Sequence, residues 1–277
     1  MKKLWLASLA LLSLNAFAQS YVIMDNGIVI TTDRSGFTYD IGEYSFPQKV
    51  TMKGGQYFVE ENSVLATIDE TGKMFRKYEV IPETLLGKGM NYFLSTTGEI
   101  YTIDNKGVVA ITSNPLFLKA AKFGGNYFTV ATDVGTIDLY VVTSAGAVMK
   151  AELGETLKMK DVIALGGTYF MTNRGVVHTI TADGKVMSMG HMRVGVLQKR
   201  GGNFFTDSSG LFYTVSADGT LNMPGLPINL KINTITKLGS NYFLDLAGKL
   251  YTVDKDGKVW ERTMPDHDFR NARIISL

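Results

Sequence analysis

The sequence predicts an all-β fold, a seven-bladed β-propeller made of four-stranded antiparallel blades. Three observations support this prediction. One short motif recurs six times, and a second motif recurs seven times at nearly constant spacing. In addition, the C-terminal residues match the part of the repeat that is missing before the first copy.

The first motif consists of a glycine, any residue, a polar residue, an aromatic residue and a phenylalanine. The aromatic residue is tyrosine in every copy except the one with Phe204. The phenylalanines that close the six copies are Phe58, Phe93, Phe128, Phe170, Phe205 and Phe243. The glycines that open them are Gly54, Gly89, Gly124, Gly166, Gly201 and Gly239. Neighbouring bulky residues suit a strand buried on both faces, so core packing is the expected role of these aromatic side chains.

The second motif predicts a hairpin turn. It ends in a glycine preceded, three positions earlier, by Asp, Thr or Ser, whose side-chain oxygen initiates a tight turn by bonding nearby backbone. A β-branched segment precedes each turn and favours a strand. The seven glycines recur at nearly constant intervals, and they are Gly36, Gly72, Gly107, Gly146, Gly184, Gly219 and Gly257. A threonine stands five positions before the glycine in all copies except the fourth, which has Val141.

The spacing between the two motifs defines the blades. The closing phenylalanine and the turn glycine are separated by one fixed interval, that from Phe58 to Gly72, in every complete copy except the fourth. In the fourth copy, Phe128 and Gly146 stand four positions further apart. We therefore expect a four-residue insertion within Val130–Asp138. For a regular blade, the sequence predicts strands at Lys49–Lys53, Gln56–Glu60, Val64–Ile68 and Lys73–Tyr78.

The two ends of the chain predict how the ring closes. Counting the same fixed interval back from the first turn glycine leads to Val22, preceded by Tyr21, so the first unit lacks only its first strand. Ile274–Leu277 resembles Ile235–Leu238, the strand that opens the seventh unit. The closing blade is thus expected to combine three N-terminal strands with one C-terminal strand. An open β-solenoid or a two-sheet sandwich would not explain this relation.

The N-terminal residues have the pattern of a signal peptide. Lys2 and Lys3 precede an apolar run from Leu4 to Leu14, and Ala16-Phe17-Ala18 fits a cleavage site. We expect residues 1–18 to be the signal peptide and 19–277 to form a single propeller domain, periplasmic or secreted. The two lysines are part of 28 basic residues against 26 acidic ones, so the remaining chain is neutral overall. Neutrality argues against a nucleic-acid partner, and no other segment is long enough to insert into a membrane.

The last repeat resembles a known family. The segment from Tyr242 to Trp260, which includes Gly-Lys-Leu-Tyr-Thr-Val-Asp-Lys-Asp-Gly-Lys-Val-Trp, is similar to the repeat of PQQ-like β-propellers. The resemblance implies the fold. It carries no cofactor over, because the family's repeated tryptophan is present in one copy only and the chain contains no cysteine for a vicinal pair. The residues in that column are Tyr39, Phe75, Ala110, Met149, Met187, Asn222 and Trp260.

Several local patterns resemble chemical sites, but each has a simpler structural explanation. His178 occupies a column of tyrosines and is expected in or near the core with a hydrogen-bonded ring. Asp266-His267-Asp268 is the one local acid–base cluster, and its place in a polar connection favours a solvated loop. Asp254-x-Asp256-Gly257 lacks the further ligands of a calcium loop and predicts a hairpin turn. We therefore predict no catalytic residues, no cofactor and no metal site.

The functional prediction is correspondingly general. Loops on a rigid scaffold are common binding sites, and the longest connections are expected at Lys150–Asp161, Ser188–Lys199 and Asn222–Thr236. The second of them, with the adjoining Arg200, contains a basic and apolar patch whose residues are candidates for partner contact: His191, Met192, Arg193, Lys199 and Arg200. We expect a monomeric, non-enzymatic binding or scaffold module for a protein or glycan. The alternative is a lactonase- or lyase-like propeller enzyme with a divalent metal in its central channel.

Overall fold

The computed structural model describes residues 20–25, 27–41, 49–78, 81–190, 192 and 194–272. Within them, seven antiparallel sheets are arranged in a ring, and every described strand pairs with its neighbours in chain order. The predicted seven-bladed propeller with four-stranded blades is confirmed. Six blades have four described strands, and blade 1 has three. The C-terminal strand predicted for blade 1, at residues 274–277, lies outside the described residues, as does the predicted signal peptide.

The strands follow the chain, innermost strand first in each complete blade. Blade 1 contains β1 (Ser20–Ile23), β2 (Val29–Thr32) and β3 (Thr38–Asp40); blade 2 contains β4 (Val50–Lys53), β5 (Tyr57–Glu60), β6 (Val64–Ile68) and β7 (Met74–Tyr78). Blade 3 contains β8 (Leu85–Lys88), β9 (Tyr92–Ser95), β10 (Glu99–Ile103) and β11 (Val109–Ser113); blade 4 contains β12 (Ala120–Phe123), β13 (Tyr127–Ala131), β14 (Ile137–Val142) and β15 (Val148–Ala151). Blade 5 contains β16 (Val162–Leu165), β17 (Tyr169–Thr172), β18 (Val177–Ile180) and β19 (Val186–Ser188); blade 6 contains β20 (Leu197–Arg200), β21 (Phe204–Asp207), β22 (Phe212–Val215) and β23 (Leu221–Asn222). Blade 7 contains β24 (Ile235–Leu238), β25 (Tyr242–Asp245), β26 (Leu250–Val253) and β27 (Val259–Arg262). Short 3₁₀ helices lie in the connections between blades, at Pro115–Lys119, Met159–Asp161, Ile232–Thr234 and Phe269–Asn271.

The turns between the third and fourth strands have the predicted chemistry. The Asp254 carboxylate accepts hydrogen bonds of 2.9 Å from the backbone N–H groups of Asp256 and Lys258. The turn ends at Gly257, whose φ of 79° lies in the left-handed region. This segment is therefore a hairpin turn, as predicted. The insertion in blade 4 extends a different hairpin, the one joining β13 and β14, and these two strands are paired from Tyr127 to Val141.

The hydrophobic core is divided among the interfaces between adjacent blades. Each of seven apolar clusters combines residues of two neighbouring sheets. One of them joins blade 7 to blade 1, where Tyr242 and Leu250 pack with Val22 and Ile30. The aromatic column fills these interfaces, as expected: the Tyr57 and Phe93 rings, for example, lie 5.3 Å apart across blades 2 and 3. The ring therefore closes through packing between the first and last blades.

Hydrogen bonds reinforce the same interfaces. The five tyrosines of the first motif, and Tyr21 at the equivalent position of blade 1, each donate a hydrogen bond to the backbone carbonyl of the equivalent aromatic residue in the next blade. The last of these runs from Tyr242 to the Tyr21 carbonyl at 2.8 Å, across the closure. We call this set the tyrosine belt; its donors are Tyr21, Tyr57, Tyr92, Tyr127, Tyr169 and Tyr242. The belt lacks one donor, because blade 6 has Phe204.

The repeated threonines form a second set of links, which we call threonine latches. In each latch the Thr hydroxyl donates to the carbonyl of the turn glycine in the next blade, at 2.6 to 2.9 Å. The latches start from Thr31, Thr67, Thr179, Thr214 and Thr252. Thr252 bonds Gly36 and so also spans the closure. In this way both repeated motifs contribute bonds from a blade to its successor.

Candidate functional site

The hairpins between the first and second strands converge on the ring axis and form the floor of a central channel. Their backbones are bonded from blade to blade; for example, the Asn126 N–H donates to the Gly167 carbonyl at 3.1 Å. The approach is so close that a Cβ atom on Gly125 would lie 2.4 Å from Gly167 Cα. That geometry requires glycine. The Met90 sulfur lies among these glycines and fills the space at the axis.

A cavity of about 460 Å³ lies against this floor. Its walls are formed by the last residues of the inner strands of blades 2 to 6, each of which directly precedes a motif glycine. These wall residues are Lys53, Lys88, Phe123, Leu165 and Arg200. The volume is in the range of small-ligand sites. No carboxylate is among the residues that line the cavity.

Five of the six described inner strands carry at least one basic residue. The six that the structure describes contain six cationic residues and no Asp or Glu. The cationic residues are Lys53, Lys88, Lys122, Lys199, Arg200 and Lys237. Since acidic and basic residues nearly balance in the whole chain, this composition concentrates positive charge around the axis. Such a channel attracts anions and repels metal cations.

The two lysines that line the cavity lie close together. The Lys88 ammonium donates a hydrogen bond of 2.7 Å to the Lys53 carbonyl of the preceding blade. Burial and the neighbouring Lys53 charge lower the pKa of Lys88. Both effects disfavour the charged form, and an anion bound nearby would relieve them. On the other side of the cavity, Arg200 donates to the Leu165 carbonyl at 3.2 Å.

The predicted partner-contact patch is divided by the fold. Arg200 lines the channel cavity, while Lys199 on the same strand extends to the Ile235 carbonyl of blade 7. Met192 is half-buried and packs against the core between blades 5 and 6. His191 and Arg193 lie outside the described residues. Of the three candidates that the structure describes, Arg200 alone lines the cavity.

The sequence analysis missed Lys53 and Lys88, although a signal for them was present. Both stand immediately before a motif glycine, and Arg200 occupies the same column. A comparison of this column across the blades identifies these three residues. The functional role of this column depends on the ring, because the ring brings residues about one repeat apart in sequence to the same cavity.

The histidines have structural surroundings. His178 is buried and stacks on Phe170 at 4.7 Å, but its Nε2 has no hydrogen bond, although the Glu155 carboxylate lies 3.2 Å away. Burial and the Arg174 charge lower the pKa of His178 to about 4. The expectation of a core position is confirmed, and the expected hydrogen bond is not made at this nitrogen.

The histidine of the acid–base cluster in the last connection pairs with a carboxylate outside that cluster. The ring of His267 bonds Asp40 of blade 1 at 2.8 Å, and the Asp268 carboxylate pairs with Arg270. The loop therefore contacts the closing blade and is not merely solvated. Among the described residues, no group of three or more His, Asp or Glu could hold a metal ion.

A second cavity, of about 590 Å³, lies beside the blade 4 insertion. It is bounded by β14, β15 and the following connection, which includes Glu152 and Glu155. Its charged groups are largely paired, since Lys150 bonds Asp138 at 2.8 Å and Arg174 bonds Glu155. This cavity has no comparable excess of unpaired charge of one sign.

No protein-family model and no curated protein matches the chain. Solved structures that resemble it include a streptogramin B lyase, at 14% identity over 90% of this chain and 94% of that chain, with a TM-score of 0.34. BamB from Moraxella catarrhalis matches at 16% identity over 90% and 80%, with a TM-score of 0.27, and human WBSCR16 at 12% over 82% and 85%, with a TM-score of 0.38. Identities this low concern the fold alone. In the described part of the chain, no helix is long and apolar enough to span a membrane.

Proposed function

We propose that this protein is an exported, non-enzymatic binding module that holds an acidic group of a protein or glycan partner in its axial channel. The observation that carries the proposal is the cavity with Lys53, Lys88 and Arg200 in its walls and no carboxylate in its lining. Export rests on the signal-peptide pattern of residues 1–18 and implies a periplasmic or secreted location. A binding role needs no further group, because charge-assisted hydrogen bonds from lysine and arginine hold carboxylates or sulfates firmly.

The metal-dependent alternative receives less support from the same cavity. Divalent cations prefer carboxylate, carbonyl or imidazole ligands. The cavity walls present three positive charges and two apolar side chains. Coulomb repulsion would therefore oppose a divalent ion at this point of the channel.

Site-specific photocrosslinking tests the proposal. A photoreactive phenylalanine analogue replaces Phe123 in the cavity wall or, as the control, Phe75 on an outer strand. After incubation with an extract of the cell envelope, we expect a discrete crosslinked product from position 123 and none from position 75. The product should disappear in the Lys53→Gln, Lys88→Gln, Arg200→Gln triple variant. Identical products from both positions, or a product unaffected by loss of the three charges, would contradict the proposal.

A further inference from the structure

The cavity has two kinds of wall. In ring order, the cationic Lys53 and Lys88 of blades 2 and 3 are followed by the apolar Phe123 and Leu165 of blades 4 and 5, and then by Arg200 of blade 6. The apolar pair is therefore flanked by positive charge on both sides. Phe123 is held in place because its ring lies against Gly87 of the neighbouring inner strand, where a Cβ atom would approach within 2.4 Å of the ring.

The floor adds little hydrogen-bonding capacity. The Gly124 carbonyl accepts the Tyr92 hydroxyl at 3.1 Å, and the Gly125 carbonyl accepts the Met90 N–H at 2.5 Å. The Gly125 N–H itself donates to the Gly166 carbonyl at 3.1 Å. These backbone groups already serve the links between blades. Recognition in the cavity thus depends on the three cationic side chains and the two apolar ones.

These walls fit some partners better than others. A sugar presents many hydroxyl groups, and each one removed from water needs a hydrogen-bond partner. The cavity supplies few neutral partners of that kind. A peptide segment with an acidic side chain beside a large apolar one places its charge on the cations and its apolar group on Phe123 and Leu165.

We propose that the channel recognises a protein segment in which an acidic residue stands next to a large apolar residue. The inference rests on the proposed function and makes it more specific, since it selects a protein over a glycan and names the chemistry of the recognised segment. An acidic group alone would contact the cationic side chains only, and an apolar group alone would contact Phe123 and Leu165 only.

Calorimetric titration of the purified protein with short blocked peptides tests this inference. The probe is acetyl-Leu-Glu-Phe-amide. One comparison peptide replaces Glu with Gln, and a second replaces both apolar residues with Ala. We expect each change to weaken binding about tenfold or more, as loss of a charge-assisted hydrogen bond or of a buried large apolar side chain would.

A fourth ligand, an oligosaccharide of hyaluronan with glucuronate carboxylates, represents acidic glycans. We expect it to bind much more weakly than the probe peptide. If the oligosaccharide or the alanine peptide binds as tightly as the probe, the inference is overturned while the proposed anion-binding function stands. If the glutamine peptide binds as tightly as the probe, charge is irrelevant and both proposals fail.

Variants then locate the binding. Lys88→Gln and the Lys88→Gln, Arg200→Gln pair should each reduce affinity for the probe, with the pair close to the affinity of the glutamine peptide. Lys106→Gln, in the exposed turn of blade 3, is the matched control and should bind as wild type does. Circular dichroism melting of each variant verifies folding. If the double variant with Lys88→Gln and Arg200→Gln is folded and binds the probe as tightly as wild type does, the binding site lies elsewhere and the inference is overturned.

Discussion

Each tyrosine of the belt serves two blades. Its ring fills the interface, and its hydroxyl bonds a carbonyl that belongs to the next sheet, such as that of Tyr92 at 2.9 Å from the Tyr57 hydroxyl. Burial raises the pKa of Tyr57, so the phenol keeps its proton and remains a donor. Phenylalanine would fill the same space and leave that carbonyl with one bond fewer. The repeat's preference for Tyr at this position therefore follows from hydrogen bonding in addition to packing.

The missing belt donor leads to a stability prediction. Phe204→Tyr should place a hydroxyl near the Tyr242 carbonyl, by the geometry of the six belt tyrosines, and stabilise the protein by about 1 kcal/mol. Thermal unfolding should show an increase of a few degrees in Tm. Phe205→Tyr is the matched control. Its ring points into the other interface, beside Tyr213, where the belt carbonyl, that of Phe204, already accepts the Tyr169 hydroxyl, so Phe205→Tyr should destabilise the protein. A Tm for Phe204→Tyr at or below that of wild type would contradict the belt interpretation.

His178 should make stability depend on pH. Its pKa in the folded state, about 4, lies below the ordinary value of 6.5. As pH falls through this window, the unfolded chain takes up a proton that the folded chain does not, so the free energy of unfolding decreases. The loss should be on the order of 2 kcal/mol, and none of it should appear above about pH 6.5.

Denaturant unfolding of His178→Phe provides the measurement. This variant should lose less stability than wild type between neutral pH and about pH 4. Tyr140→Phe, in the same column of blade 4, is the control and should retain the wild-type pH dependence because it leaves His178 in place. Parallel pH profiles for wild type and His178→Phe would show that His178 is not the responsible group.

At the scale of the strand, the sequence predicts architecture better than it predicts the site. Hairpins are local, so turn residues such as Asp254 and Gly257 identify them without knowledge of the rest of the chain. The predicted blade 2 strands agree with the observed ones to within a residue at either end. The cavity is not local. Lys53, Lys88 and Arg200 line one cavity only because closure of the ring places their strands around one axis. By contrast, Met192 and Lys199 lie close together in sequence, but Met192 packs against the core and Lys199 extends to the next blade.

The threonine latches allow a comparison within one molecule. Thr214 bonds the Gly257 carbonyl of the next blade at 2.8 Å, whereas Thr102, also buried, makes only a 3.5 Å contact within its own blade. Thr214→Val should therefore cost about 1 kcal/mol more than Thr102→Val. Chemical denaturation of the two variants gives this difference directly. Equal costs would mean that the latches contribute packing alone.

At the scale of the whole molecule, the contacts between blades 7 and 1 hold the first blade of the ring against the last one. This interface carries a belt bond and a latch, and the Arg262 guanidinium also lies 4.8 Å from the Phe37 ring. Its further hydrogen bonds include one from the Thr32 hydroxyl to the Asn241 side-chain oxygen at 2.8 Å. The other blades have Ile or Val at the position of Thr32, four positions before the turn glycine. Among the described residues, Asn91, Asn126 and Asn203 each have a buried side-chain oxygen without a hydrogen bond. In the closing interface the Asn241 side-chain oxygen thus has a hydrogen bond, whereas the side-chain oxygens of Asn91, Asn126 and Asn203 in other interfaces have none.

A double-mutant cycle on Thr32 and Asn241 tests whether this bond helps to close the ring. Thr32→Val leaves the buried Asn241 oxygen without its partner and should cost about 1 to 2 kcal/mol. Asn241→Ala removes the amide as well as its bond to the Asp33 carbonyl. If the pair acts together, the double variant should be more stable than the sum of the single effects predicts, by about 1 kcal/mol. Urea unfolding of the four proteins measures this coupling. Additive effects would show that the two side chains act independently and that the closure depends on its packing, belt and latch contacts.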